Sequence, residues 1–262
     1  MKKVAAFLGT ASRKHTYYAV RRFLEDLSAF GDVETEIVPL SDYAIGICRG
    51  CKLCFERGEA ACPLKDDRDV LIGKMDASDG VVFATPNFSF QVSALMKTFL
   101  DRLGFAFHRP RFFGKTFTSI VSQGIYGGQK IVSYLDFAAR GLGFNTVKGV
   151  YFTAFDPMTE KERQEIDKRL ARLSRRFHDH LIGTALPTPS ALMLGGFRMA
   201  RTSIGLELDE ASADWRYYQD KGWFGADYFY PTRLGPWKKA VGKLAESIQA
   251  GRSKRRLSSR KL

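Results

Sequence analysis

The chain has 262 residues, a hydrophobic fraction of 45% and a formal net charge of +13 from 41 basic and 28 acidic side chains, enough for one large domain or a domain with an appendage. Met1-Lys2-Lys3 before Val4–Leu8 imitates a secretory signal, but Arg13 and Lys14 arrive before a full apolar region can form. No later segment has the roughly 20 apolar residues of a membrane span, so a soluble, cytoplasmic protein is expected.

Val4 to Leu8 predicts a first strand, and Thr16 to Phe30 a helix with Tyr17, Val20, Phe23, Leu24 and Leu27 on one face. Val33, Thr35 and Ile37 alternate with glutamates as a second strand does, Asp66-Asp67 starts a helix, and Val81 to Ala84 is a central strand, apolar on both faces. Ser93 to Phe107 predicts a third helix, Thr116 to Val121 a fourth strand, Gln129 to Leu142 a fourth helix and Thr146 to Phe152 a fifth strand. Thr159 and Glu162 have capping-box spacing and open a long helix running from Met158 to about His180. This alternation predicts an α/β fold with a doubly wound five-stranded parallel sheet, followed by a C-terminal helical and aromatic extension. The domains expected are 1–184 and 185–262.

Ligands of such sheets sit beyond the carboxyl ends of the strands. The loop Gly9 to Thr16 joins strand one to helix one and offers free N–H groups, the hydroxyls of Ser12 and Thr16 and the cation of Arg13, a set suited to a monophosphate. It lacks the spacing of a nucleoside-triphosphate loop and of the dinucleotide fingerprint. Pro86, Asn87 and Phe88 after strand three can wall a flat ring and bond its polar edge, and Ser122, Gly124 and Gly127 follow strand four where a backbone can approach a ligand closely.

Ser12-Arg13-Lys14, the segment Asp79 to Phe88 and the helix Ser93 to Arg102 together resemble the family of NAD(P)H-dependent FMN reductases and iron–sulfur flavoproteins, over about residues 1–180. The resemblance implies a flavodoxin-like fold. It implies that Ser12, Arg13 and Thr16 hold the FMN phosphate, that Pro86, Asn87 and Phe88 contact the isoalloxazine, and that Ser122, Gly124 and Gly127 complete the site. The chain departs from the family in reading Gly-Thr-Ala-Ser-Arg in the first loop and Asn87-Phe88 where Val-Tyr is frequent.

Cys48, Cys51, Cys54 and Cys62 are the four cysteines, spaced C-x2-C-x2-C-x7-C. Four thiolates from one loop match the ligand number of a [4Fe–4S] cluster. Thiols without a cluster, a redox dithiol and zinc stay open as alternatives. His178 and His180, two apart on a helix, are expected in solvent, and His15 is placed to assist the phosphate. The aromatic stretch Trp215 to Tyr230 points to packing or a subunit interface, hence a homo-oligomer, rather than to a pocket. Trp237 to Ile248 forms an amphipathic helix that leaves peripheral membrane contact open. Arg252 to Leu262 carries six basic residues and no acid. Without an aromatic to stack a base, it is expected to be a disordered solubilising end, and nucleic acid is not an expected partner.

The function expected is that of an FMN-dependent oxidoreductase. Electrons pass from NAD(P)H to a small-molecule or protein acceptor, with a cluster as a further station and no side chain acting as acid or base. The alternative is an electron carrier without nicotinamide activity.

Overall fold

The computed structural model describes residues 1–183 and 185–259. Its strands are β1 (Lys2–Leu8), β2 (Val33–Pro39), β3 (Gly80–Pro86), β4 (Thr116–Gln123), β5 (Asn145–Thr146) and β6 (Val150–Thr153). Its helices are α1 (His15–Ser28), α2 (Leu53–Glu56), α3 (Arg68–Ala77), α4 (Ala94–Arg102), α5 (Gly104–His108), α6 (Gly128–Leu142), α7 (Glu160–Ile182), α8 (Ala191–Glu207), α9 (Ala213–Asp220) and α10 (Pro236–Ser259). They group into two compact units. One contains Met1–Cys48 and Leu64–Leu186, the other Arg49–Pro63 and Pro187–Leu262.

In the first unit every strand pair is parallel, in the order β2-β1-β3-β4, with β5 and β6 both pairing the free edge of β4. Alternation along the strands sends side chains to two cores. Val4, Ala6, Leu8, Val82, Ala84 and Ile120 pack with α1 and α7 on one face. Phe7, Phe83 and Phe117 meet on the other, where Phe7 stacks on Phe99 of α4 at 5.5 Å. α7 begins as its sequence predicts: Thr159 Oγ1 accepts the Glu162 N–H, and Glu162 accepts the Thr159 N–H at 2.8 Å.

Three local expectations are corrected. The single fifth strand, Thr146 to Phe152, arrives as two pieces because the chain between them is pressed against β4. A Cβ on Gly149 would lie 2.4 Å from the Ser119 carbonyl oxygen, a position only glycine can occupy. The helix Ser93 to Phe107 breaks after Arg102, where the Leu103 N–H bonds Leu100 in a tightened last turn and Gly104 opens a new one. His178 is half-buried rather than in solvent, stacked on Phe30 with ring centroids 4.5 Å apart.

The segment 49–63 leaves the first unit through a welded neck. The Ala44 N–H donates to Asp67 at 2.7 Å and the Gly46 N–H to Asp66 at 2.8 Å, so the two sides of the neck are pinned together. Arg102 of α4, its side chain 2% exposed, grips both carboxylate oxygens of Asp66 and donates to the Gly46 carbonyl at 3.0 Å. Burial by itself raises the Asp66 carboxyl. Hydrogen bonds from Arg102, Gly46 and Arg68, with the guanidinium charge, outweigh it and hold the group below the ordinary carboxylate value.

The second unit has its own aromatic core. Phe197 of α8 meets Phe229 at 4.5 Å and Tyr228 at 5.5 Å, and Tyr218 of α9 meets Trp223 at 5.0 Å. The stretch Trp215 to Tyr230 therefore largely packs on itself. α8 and α10 run side by side in the same direction, with Leu194 beside Gly242 and Arg198 and Arg201 ion-paired to Glu246 at 3.1 and 2.7 Å. α2, in the cysteine segment, packs on α9. Arg260 and Lys261 of the basic tail lie outside the described residues; the part from Arg252 to Ser259 continues α10 as helix.

Gly149→Ala forces β4 and the 147–149 segment apart and should cost about 2 kcal/mol, measured by denaturant unfolding. Arg102→Ala leaves Asp66 buried without its cation and should cost about 3 kcal/mol in the same assay. Because Asp66 ionises more readily folded than unfolded, its contribution is complete above the ordinary carboxylate range and is lost as pH falls through the folded-state value. Wild-type stability should thus drop from about pH 5 toward pH 2 more steeply than that of Arg102→Ala.

Candidate functional site

The carboxyl ends of β1, β3, β4 and β6 open onto one cleft of about 220 Å³. Seven residues that the sequence singles out line it: Ser12 and Thr16, then Pro86, Asn87 and Phe88, then Ser122 and Gly124. Thr10, Lys14, His15, Gln123 and Ala154 also line it. Of these the sequence singled out His15, and Thr10, Lys14 and Gln123 only as members of the loops after strands one and four. Ala154 is visible in retrospect as the residue that follows β6.

Two anticipated residues stand apart. The Arg13 guanidinium lies over the Tyr17 ring, 5.9 Å from its centroid, and does not line the cleft. Gly127 sits behind the wall at φ +97°, where a Cβ would crowd Phe90 at 3.1 Å. Lys14 is the cation at the mouth. Its ammonium meets the Asp156 carboxylate at 2.6 Å, and that pairing raises the lysine and lowers the aspartate from their ordinary values.

The first loop is built around a close approach. The Gly9 N–H donates to Ala84 at 2.7 Å, and a Cβ on Gly9 would lie 2.9 Å from Met96 and from Ser93 Oγ. The chain then enters α1 with no side chain capping its start and no acid in its first turn. Its N–H groups and the positive end of the helix dipole are consequently left for an anion. At the base of the cleft Thr16 Oγ1 and Ser122 Oγ are 2.6 Å apart.

The loops after β3 and β4 hold each other. The Asn87 N–H donates to Ser122 at 2.7 Å, Asn87 Nδ2 donates to the Tyr126 carbonyl at 2.8 Å, and Phe90 tilts against Tyr126 at 5.0 Å. Ser89 and Phe90 take positive φ angles of 51° and 61°, a strained turn of the sort that clusters at ligand sites. Gln123 ties the far side: its Oε1 accepts the Gly128 N–H at 2.6 Å and its Nε2 donates to Thr153 at 3.0 Å.

This frame leaves Asn87 Oδ1 sealed from solvent with no hydrogen bond. A buried acceptor without a donor is costly. An uncapped helix start with hydroxyls and a lysine, the polar residues Asn87 and Ser122 at the strand ends and an aromatic wall at Phe88 fit the phosphate, polar edge and face of FMN.

The cysteines fit less well. Cys48 and Cys51 are exposed and Cys54 and Cys62 half-buried. Among the described residues no three His, Cys, Asp or Glu side chains converge as a metal site. Number and type of donors suit a cluster; their positions here do not.

A family model for NADPH-dependent FMN reductases matches residues 2–156. An iron-sulfur flavoprotein of Archaeoglobus fulgidus is 29% identical over 193 residues, covering 72% of this chain and 84% of its own. The NAD(P)H:quinone oxidoreductase of Methanothermobacter marburgensis shares the fold with a TM-score of 0.55 at 21% identity, over 67% of this chain and 96% of that one. RosB, solved with 8-demethyl-8-formylriboflavin-5'-phosphate bound, gives a TM-score of 0.55 at 14% identity over 90% of this chain and 92% of its own. With its parallel sheet and the cleft at the strand ends, the chain belongs to the NADPH-dependent FMN reductase family and is an NAD(P)H-dependent FMN oxidoreductase with a flavodoxin-like fold.

Proposed function

We propose that the cleft seats FMN with its phosphate on the Ser12–Thr16 turn and its ring between Pro86–Phe88 and Ser122–Gly124, and that electrons from NAD(P)H leave for a small acceptor or a protein partner. The observation that carries this reading is the cleft at the strand ends, where Ser12, Thr16, Pro86, Asn87, Phe88, Ser122 and Gly124 meet beside the uncapped start of α1. FMN supplies the electron chemistry when bound. Ser12, Lys14 and the uncapped start of α1 hold the phosphate. The hydroxyls of Thr16 and Ser122 fix the cleft floor, and Phe88, 60% exposed, leaves one edge open for the nicotinamide and then the acceptor. No side chain is assigned a proton transfer.

The cysteine quartet and the iron–sulfur flavoprotein relative support a [4Fe–4S] cluster on Cys48, Cys51, Cys54 and Cys62 as an additional station. Holding it requires the cysteine loop to rearrange from the geometry described above. Iron and acid-labile sulfide in anaerobically purified protein test this directly; their absence removes the cluster and leaves the flavin reading intact.

Asn87→Ala should weaken FMN binding about tenfold by removing the hydrogen bond to Tyr126 that holds the two cleft loops together, read from quenching of flavin fluorescence. Unchanged affinity would remove the ring from this edge. Lys14→Ala should narrow the preference for FMN over riboflavin, and Arg13→Ala should narrow it less. Under anaerobic conditions NADH or NADPH should bleach the bound flavin; a protein that stays yellow under both is not using nicotinamide.

A further inference from the structure

α8 and α10 present an uncovered apolar face. On α8, Leu192, Met199 and Leu206 recur every seven residues, with Leu192 79% and Leu206 43% exposed. On α10, Trp237, Leu244 and Ile248 recur at i, i+7 and i+11, at 63%, 62% and 47% exposure.

These rows lie on one side of the helix pair. At about 100° per residue, the α8 row is roughly 90° from the line where Leu194, Gly195 and Arg198 meet α10, and the α10 row is roughly 120° in the opposite sense from Gly242, Ala245 and Glu246. For two helices running in the same direction, opposite senses bring both rows to the same face. The other side of α8, at Phe197 and Ile204, is buried in the unit. The exposed face is thus a two-helix plate whose reverse is already covered by the aromatic core.

Charge decides what the plate fits. α10 carries seven basic residues and one acid, and that acid, Glu246, is held by Arg198 and Arg201. Arg252 and Arg255 extend the Trp237–Ile248 row as exposed cations. A second copy stacked on this face by a twofold axis would bring like charges together. Nucleic acid would meet apolar side chains along most of the plate. A tryptophan and aliphatic residues in a row ending in arginines match an anionic lipid surface, where the apolar side chains enter the headgroup boundary and the cations meet lipid phosphates. Among the described residues no helix is long and apolar enough to cross a membrane, consistent with contact along the surface.

We propose that the α8–α10 plate docks the protein reversibly on anionic membrane surfaces. The test uses the full chain loaded with FMN, sedimented with phosphatidylcholine vesicles containing about one third phosphatidylglycerol and with phosphatidylcholine alone. Binding should be confined to the anionic vesicles and weaken as salt is raised. Leu244→Ser with Ile248→Ser should weaken it about tenfold or more, and Arg252→Gln and Arg255→Gln roughly fivefold each, with FMN content and far-UV circular dichroism unchanged. Failure of the unaltered protein to sediment, or equal binding to both vesicle types, overturns the proposal. So does a dimer, seen by analytical ultracentrifugation, that the serine substitutions dissociate while vesicle binding is unaffected.

Discussion

The constraint on which the site depends is the register of three parallel strands. Leu8 at the end of β1 pairs with Ala84, and Pro86 at the end of β3 pairs with Ser122, so β3 and β4 release their chains within one residue of each other and β1 two residues earlier. Two further backbone hydrogen bonds, Gly9 to Ala84 and Asn87 to Ser122, carry the ladder just past the strand ends. Because side chains alternate with period two, slipping β3 by one residue would turn Asn87 away and move Phe83 from the aromatic core into the aliphatic one. Every polar group around the cleft inherits its position from this register.

Sealing then follows from local ties. Tyr126 takes one end of the Asn87 amide and so aims the other end inward. Gln123 spans from β4 to β6 and to the start of α6, holding the loop between it and Gly128 in place. The strained backbone at Ser89 and Phe90 is tolerated because Phe90 packs on Tyr126 and the Phe88–Gln91 bridge closes the turn.

Much of this was legible in the residue order, and what was not has a common cause. The apolar run of β3, the Thr159–Glu162 cap and the polar loops at the strand ends are local patterns, readable within a few positions. The split of the last strand depends on how close Gly149 comes to Ser119, the stacking of His178 on a residue some 150 positions away, and the sealed oxygen of Asn87 on a carbonyl contributed by Tyr126. Arg13 stood out as the cation because arginine suits phosphate, yet the direction of its side chain was set by Tyr17, and Lys14 lines the cleft instead. The four cysteines announced a ligand set by spacing alone; spacing carries no information on whether their sulfur atoms meet.

The neck closed by Asp66 and Arg102 changes how the cysteine segment relates to the rest of the chain. Both ends of the segment are secured to each other and to α4 before it departs. Such a junction works like a clasp: the spacing across the neck is set by Asp66, Asp67 and Arg102 and not by the conformation of the cysteine loop beyond it.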